Sequence, residues 1–266
     1  MPEYIVFDDP KWLDHREQTL FGSSPTRNKE FDENGFVFLK NLVDVEETGL
    51  VEFPPPPERG MFKYADPDPG TLVTGGLMDM DIEPQVMGSL SRYKLPIYRS
   101  LQNQLKPKLE KIIGKKLMPS FNYDRFYFPG QQLPYHLDRF ACEISISMLI
   151  STNLDQSQHP WPLWIKKPPE WNENGLLVQE GKHVAVTFSE PGDAVLYKGC
   201  ERPHYREPMP SKYTKWEKKL MKFLRREDDT YYHQVFIHYV LESGEFIHLT
   251  QDYVRSDYWG RKEEWK

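Results

Sequence analysis

The chain has 266 residues with 34 basic and 40 acidic side chains, and its formal net charge of −6 argues against general affinity for nucleic acids. It has no apolar run of about eighteen residues and no basic and apolar leader, so we expect neither a membrane span nor a signal peptide. The two cysteines, Cys142 and Cys200, lie in no paired metal-binding motif. We therefore expect a cytoplasmic protein that forms a single domain over residues 1–266, with both thiols free.

The segment before residue 80 contains one strand signal and one long irregular stretch. The turn residues Glu33-Asn34-Gly35 precede an apolar run at 36–39, which predicts a short first strand. The proline run at 54–57 and the stretch rich in Gly, Pro and Asp that follows it to residue 76 predict a surface connection.

Helical periodicity follows from about residue 83 to 114. Leu101, Leu105, Leu109 and Ile112 recur at the spacing of one helix face, which predicts a supporting helical layer. Pro107 interrupts the pattern and predicts two helices or a kink.

Short β-rich segments separated by turns occupy most of the remaining chain. Because helices come first and strands second, we expect a mainly β fold, an antiparallel sandwich or jelly roll with a helical layer on one face. The barrel core is predicted over about 121–242. The predicted strands cover residues 121–128, 133–137, 143–151, 162–165, 183–188, 194–198, 204–206 and 231–241.

One of these strands carries a metal-binding pattern. Residues i and i+2 of a strand point to the same face, so His136 and Asp138 project together while Leu137 packs the other way. A second histidine from a facing strand would complete a 2-His-1-carboxylate facial triad, which is typical of non-haem Fe(II) oxygenases.

The order of motifs around this pair resembles a known family. The turn and strand Pro191-Gly192-Asp193-Ala194-Val195-Leu196-Tyr197 lead through a short turn to His204. With Tyr127-Phe128-Pro129-Gly130, an opening strand in residues 34–39 and a closing strand in residues 234–240, the chain resembles the Fe(II)- and 2-oxoglutarate-dependent oxygenases. The likeness is greatest to their prolyl-4-hydroxylase-like branch and covers about residues 31 to 242.

The resemblance implies a double-stranded β-helix, the cupin-like form of the jelly roll, and a hydroxylase that releases succinate and CO2. It implies Fe(II) bound by His136, Asp138 and His204, with 2-oxoglutarate and O2 as cosubstrates. The substrate would be a peptide residue of the prolyl type or a free small molecule. The alternative is a catalytically silent jelly roll that serves as a binding or interaction module.

The residue that anchors 2-oxoglutarate departs from the family's pattern. The family commonly uses an Arg or Lys of the eighth strand, but residues 231–237 contain neither. Arg206 shares the inward face with His204 and could grip a carboxylate with two hydrogen bonds. Arg125 is the second candidate, on the same strand face as Tyr123 and Tyr127, and Tyr127 matches the family's cosubstrate-contacting tyrosine.

Two further features have open interpretations. A basic insertion at about 209–230 contains an amphipathic pattern at 212–226, which predicts a docking or dimerisation helix rather than a substrate lid and leaves a homodimer open. Trp164 and Trp171 are candidate substrate contacts. The remaining histidines are expected to be core residues with hydrogen-bond partners; they are His15, His159, His183, His233, His238 and His248.

Overall fold

The computed structural model describes residues 26–50, 85–86, 89–93 and 95–250. The predicted surface connection at 54–76 lies outside these ranges, and so does His15. Within them, β-branched and aromatic segments between turn residues form twelve strands. In chain order these are β1 Phe36–Leu39, β2 Leu90–Tyr93, β3 Leu117–Tyr127, β4 Leu133–His136, β5 Ile144–Thr152, β6 Leu163–Lys166, β7 Glu170–Trp171, β8 Leu177–Gln179, β9 His183–Val186, β10 Ala194–Tyr197, β11 His204–Arg206 and β12 Tyr232–Leu241.

The strands form two main antiparallel sheets. The larger sheet has the order β1-β10-β5-β12-β3-β2, and the smaller has the order β4-β11-β6-β9. The strands β7 and β8 pair as a separate hairpin. Most strands that follow each other along the chain lie in opposite sheets, which is the topology of a jelly roll. The predicted mainly β jelly roll is therefore confirmed.

Each strand predicted between residues 121 and 241 is present, with small shifts at its ends. The largest shift is in β3, which begins at Leu117. The patterns did not predict β2, β7 or β8. Each of these is short, and β2 pairs only with β3 at the edge of the large sheet, so little in its own sequence marks it as a strand.

The core of the jelly roll lies between the two sheets. Tyr123 and Tyr127 of β3 and Phe236 of β12 face Leu163 and Ile165 of β6 in one buried cluster. Side chains alternate along each strand, so the next residues of β12 point to the opposite face of the large sheet. The large sheet consequently buries both of its faces.

Helices cover that opposite face. Leu101, Leu105 and Leu109 pack against Val235 and Ile237 of the large sheet, as the helical periodicity predicts. The described helices of more than one turn are α1 Lys29–Asn34, α2 Pro96–Ile113 and α3 Lys215–Phe223. None of the described helices is long and apolar enough to cross a bilayer.

The predicted extent of the helical layer, 83–114, is wrong at its start. Residues 90–93 form β2, and α2 begins only at Pro96. Proline disfavours a helical backbone in the residue before it, and Leu95 is extended with φ −59° and ψ 137°. The proline ring fixes φ of Pro96 near its helical value, which favours proline as the first residue of a helix.

The expected break at Pro107 is also absent, since α2 runs unbroken through it. Pro107 lies on the exposed side of the helix. Proline has no N–H, so Pro107 leaves the Asn103 carbonyl without its helical hydrogen bond. On the exposed side this carbonyl can bond to water, so the helix continues. The two-helix prediction is therefore wrong.

The basic helix is shorter than the predicted 212–226. The Thr214 hydroxyl accepts a hydrogen bond from Glu217 N, and the Glu217 carboxylate accepts one from Thr214 N. This capping box places the first helical residue at Lys215.

A buried polar network joins the edge strand β2 and the helix α2 to the inner strands β3 and β12 of the large sheet. Asp124 of β3 pairs with Arg92 of β2 and accepts hydrogen bonds at 2.8 Å from Tyr98 of α2 and from His233 of β12. Burial raises the pKa of Asp124, but Arg92 and the hydrogen bond from His233 lower it by a larger amount. The resulting pKa is about 2. The carboxylate is therefore ionised at neutral pH.

Replacing Asp124 by asparagine is expected to lower the free energy of unfolding by about 3–5 kcal/mol, because Arg92 would be left buried without its counter-charge. Denaturant unfolding at pH 7 measures this loss. The contribution is present above the ordinary carboxyl pKa of 3.8 and is lost as the pH falls through about 2. Glu33→Gln, which removes an exposed pair with Lys29, is the control and should cost less than about 1 kcal/mol. Equal losses in the two variants would contradict the assignment.

Candidate metal centre

Three potential metal ligands meet where β4 and β11 lie side by side. The register of the two strands places His204 opposite His136, and their ring centroids are 4.2 Å apart. Asp138 follows β4 by two residues, and its backbone N–H donates to the Gly199 carbonyl at 3.0 Å. That bond holds the carboxylate beside both imidazoles.

The ligand atoms face one shared space. Asp138 Oδ1 lies 3.5 Å from His136 Nε2 and 3.7 Å from His204 Nε2. One atom from each of the three residues can be chosen so that all lie within 4.8 Å of one another. The structure thus brings together the three residues that the sequence predicts as a triad.

The other ring nitrogens fix how the imidazoles are oriented. His136 Nδ1 lies 2.7 Å from the Pro134 carbonyl, and His204 Nδ1 lies 3.0 Å from the Arg202 carbonyl. A carbonyl only accepts, so each Nδ1 carries a proton, and Nε2 is the nitrogen of each ring that could ligate a metal. Burial lowers the pKa of His204 to about 4, which keeps that ring neutral. Two imidazoles and a carboxylate suit a divalent first-row transition metal.

The second oxygen of Asp138 is held by hydroxyl groups. Ser145 Oγ and the Tyr197 hydroxyl both donate to Asp138 Oδ2 at 3.4 Å. Burial raises the pKa of Asp138, but the adjacent His204 and His136 rings lower it to below the usual range. The carboxylate is therefore an anion available to a cation.

A glycine makes room for this carboxylate. A β-carbon at position 199 would come within 2.6 Å of Asp138 Oδ2 and 2.5 Å of Ser145 Oγ. Gly192 and Asp193 form the predicted turn before β10, and the Asp193 carboxylate accepts a hydrogen bond from Asn41 N at 3.1 Å. The Gly-Asp motif thus fixes the start of the strand that leads to the centre.

A second group of potential ligands shares Asp138. Asp138, Cys142 and His238 also offer atoms within 4.8 Å of one another. His238 Nδ1, however, lies 2.8 Å from Ser145 Oγ, and Cys142 and Cys200 are both buried and form no disulfide. His233 and His238 are core residues with hydrogen bonds, as predicted.

The same expectation is wrong for His183 and His248. Both side chains are exposed. His183 packs beside Tyr205 on the outer face of the small sheet, with ring centroids 5.6 Å apart. His248 lies in a short 3-10 turn after β12.

Gln85, which is not among the predicted site residues, reaches the centre from a position before β2. Its Nε2 lies 2.8 Å from His136 Nε2, and its Oε1 accepts from Arg125 Nη1 at 2.9 Å. The amide thus occupies space beside the triad and links it to Arg125. No local pattern marks this glutamine, because its contact with His136 joins positions 51 residues apart in the chain.

Arg206 is buried in an aromatic enclosure below the triad. Its guanidinium carbon lies 4.3 Å from the Trp161 ring centroid and 4.9 Å from that of Tyr232. Nη1 donates to the Trp161 carbonyl and Nη2 to Gln234 Oε1, the latter at 3.1 Å. No acidic group in the described ranges pairs with this arginine, and its Nε has no hydrogen-bond partner there.

Arg125 is buried on the facing side of the same interior. Its Nε donates to Ser91 Oγ at 2.9 Å, and its Nη1 also reaches the Tyr127 hydroxyl at 3.3 Å. Tyr123 and Tyr127 both lie within 5.6 Å of its guanidinium carbon, which fits the predicted common strand face. Arg125 is also the register partner of Gln234 on β12, so both arginines approach that glutamine.

Gln234 lies on β12, the closing strand of the jelly roll, which contains neither Arg nor Lys. It is fully buried, and its amide joins Arg206 to Ser147. A glutamine on this strand therefore orients an arginine that comes from β11.

The two candidate tryptophans lie away from this interior. Leu163 and Ile165 of β6 point inward, so Trp164 points outward, where it stacks on Tyr205 at 6.1 Å between ring centroids. Trp171 is exposed in the hairpin β7–β8. Trp164 therefore does not line the space around the triad.

Comparisons with known proteins place the fold. No protein-family model matches the sequence, and no curated protein matches it significantly. AviO1 from Streptomyces viridochromogenes Tue57 is similar in structure, with a TM-score of 0.50, 14% identity and coverage of 80% of this chain and 92% of that one.

Two further solved structures show comparable values. EctD from S. alaskensis, solved with 2-oxoglutarate and 5-hydroxyectoine, has a TM-score of 0.49 at 15% identity over 85% of this chain and 80% of that one. A prolyl hydroxylase from Trichoplax adhaerens was solved with a hypoxia inducible factor peptide fragment. It has a TM-score of 0.48 at 13% identity over 87% of this chain and 94% of that one. At these identities the likeness concerns the fold alone, and the chain shares the fold of AviO1.

Proposed function

We propose that the chain is an Fe(II)- and 2-oxoglutarate-dependent oxygenase that hydroxylates a peptide residue or a free small molecule. The observation that carries this proposal is the convergence of two imidazole Nε2 atoms and one carboxylate oxygen inside a jelly roll. A triad of this composition leaves coordination positions for a cosubstrate and for dioxygen. His136, Asp138 and His204 would hold the iron.

With iron bound, the centre would supply oxidation of a substrate C–H bond, coupled to decarboxylation of 2-oxoglutarate to succinate and CO2. The protein's own groups fix the geometry. The Pro134 and Arg202 carbonyls orient the two imidazoles, and Ser145 and Tyr197 orient the carboxylate. Such supporting contacts raise metal affinity because they hold the ligands ready before binding.

Arg206 is the proposed anchor for the distal carboxylate of 2-oxoglutarate. A buried guanidinium without an anionic partner is costly, and a bound carboxylate would compensate it with charge-assisted hydrogen bonds. Trp161 and Tyr232 would keep water away from that contact. Arg206 lies two positions after His204, so the anchor lies about 7 Å along β11 from the metal ligand.

Arg125 is better placed to act near the metal. It reaches His136 through the amide of Gln85, and it also contacts the hydroxyl groups of Ser91 and Tyr127. We propose that Arg125 and Tyr127 position the cosubstrate, with Tyr123 packed beneath them, while Arg206 carries the main charge interaction.

The test is formation of succinate from 2-oxoglutarate by the purified chain, in air, with Fe(II) and a panel of prolyl peptides and small molecules. We expect slow succinate formation without substrate and faster formation with an accepted one. Omitting iron, or replacing it with Mn(II), is the control and should give none. Binding of metal without any binding of 2-oxoglutarate would instead favour the interaction module.

A further inference from the structure

Helix α3 exposes an apolar surface that no other described residue covers. Trp216 is 70% exposed, Leu220 41% and Phe223 82%. None of the nine residues of the helix is buried. Large apolar side chains are rarely left in water together on one short element, because their burial is favourable.

Two parallel rows of side chains run along this helix. Trp216, Leu220 and Phe223 are spaced i, i+4 and i+7, so they form one apolar row. Lys215, Lys219 and Lys222 follow the same spacing one residue earlier and form a basic row beside it. All three lysines are exposed, and none has an ion-pair partner in the part of the chain that the structure describes.

The base of the insertion holds the helix in place. Lys212 pairs with Asp229 at 3.0 Å, and the Tyr213 hydroxyl donates to the same carboxylate at 2.7 Å. The capping box of Thr214 and Glu217 fixes the first turn. The two rows are therefore formed in advance, on a helix that faces away from the jelly roll.

Charge is distributed unevenly between this segment and the remaining chain. Residues 212–226 contain seven basic residues and one acidic residue, a net charge of +6. The whole chain has a net charge of −6, so the remaining residues together carry −12. An anionic surface would attract α3 and repel the negatively charged remainder of the protein. The protein would therefore approach that surface in one orientation, with α3 towards it.

We propose that α3 binds in the plane of an anionic lipid bilayer surface. The apolar row would enter the boundary between headgroups and acyl chains, and the basic row would lie among the lipid phosphates. A bilayer fits these rows better than an acidic protein, because side chains that protrude from a nine-residue helix enter lipid without a matching groove. The connection carrying α3 follows Arg206, at the end of β11 opposite His204, so the metal centre would face away from the lipid.

Co-sedimentation with vesicles tests the proposal on the full chain. We expect binding to phosphatidylcholine vesicles containing phosphatidylserine, little binding to phosphatidylcholine alone, and loss of binding at high salt. Charge reversal at Lys215, Lys219 and Lys222 together should lower the partition coefficient roughly 100-fold or more. Replacing Trp216 and Phe223 by serine should lower it about tenfold or more for each side chain.

Matched controls come from other exposed positions. Serine at Leu177 and Val178 of β8 removes two similarly exposed apolar side chains, and Lys29→Glu reverses an exposed charge on α1. Both controls should bind as the unaltered chain does, and thermal unfolding should show all variants folded. Equal binding to both kinds of vesicle, or full binding by the α3 variants, would overturn the proposal. Loss of a dimer in the same variants, without any vesicle binding, would make α3 a self-association surface instead.

Discussion

Replacing His204 by alanine is expected to abolish binding of Fe(II), and of Mn(II) used as an inert substitute. The Nε2 atom is one of only three ligand atoms in the triad, and its lone pair is already oriented by the Nδ1 contact with the Arg202 carbonyl. Removing a supporting contact alone typically costs about 10–100-fold in affinity, so loss of a ligand should cost roughly 100-fold at least. Calorimetric titration with Mn(II) measures the change, and His136→Ala should behave in the same way.

The control for this result is His183→Ala, which removes an exposed imidazole from the same small sheet. It should leave metal affinity unchanged. A buried alanine could also destabilise the chain, so His204→Gln, which keeps polar bulk, should be compared by thermal unfolding. A folded His204 variant that binds metal as tightly as the His183 variant would remove His204 from the site.

Replacing Arg206 by lysine is expected to raise the apparent dissociation constant for 2-oxoglutarate roughly 100-fold or more. A guanidinium can make two parallel hydrogen bonds to a carboxylate, whereas an ammonium acts as a point charge. Each bond to a charged group contributes about 1.5–3 kcal/mol, and about 1.4 kcal/mol corresponds to tenfold. Titration of 2-oxoglutarate into the Mn(II)-loaded protein measures the effect, and Mn(II) affinity should stay nearly constant.

Arg125→Lys is the matched comparison, since it makes the same change in the other buried arginine of the interior. A smaller loss is expected there, because Arg125 contacts Ser91, Gln85 and Tyr127. If Arg125→Lys gives the larger loss and Arg206→Lys none, the anchor lies on β3. If neither variant changes the affinity, 2-oxoglutarate is not the cosubstrate.

The pairing of His136 with Asp138 is predicted by a short-range rule, whereas His204 is predicted by a motif order that resembles a known family. Alternation along a strand brings His136 and Asp138 to one face, and a tight turn before β11 returns the chain to them at His204. The jelly roll itself follows from β-rich segments at regular spacing. The alternation of His136 and Asp138 lies within a few residues, where side-chain direction is set by the backbone.

The parts that the sequence did not predict depend on long-range packing. Gln85 lies 51 residues before His136 in the chain, so no local pattern relates the two. The strand β2 is defined by its partner rather than by its composition. Gln234 is likewise an ordinary polar residue until Arg206, 28 residues away, donates to it.

Gly199 shows how a position without a side chain constrains the evolution of a site. A β-carbon there would collide with the Asp138 carboxylate, the Ser145 hydroxyl and the Cys142 carbonyl, which belong to three separate positions of the chain. Any L-residue at 199 would therefore need a compensating change among those neighbours, and one of them is the proposed carboxylate ligand. Substitutions of Gly199 should therefore show strong epistasis with the residues of the metal centre. Single substitutions alone should not be able to change this position.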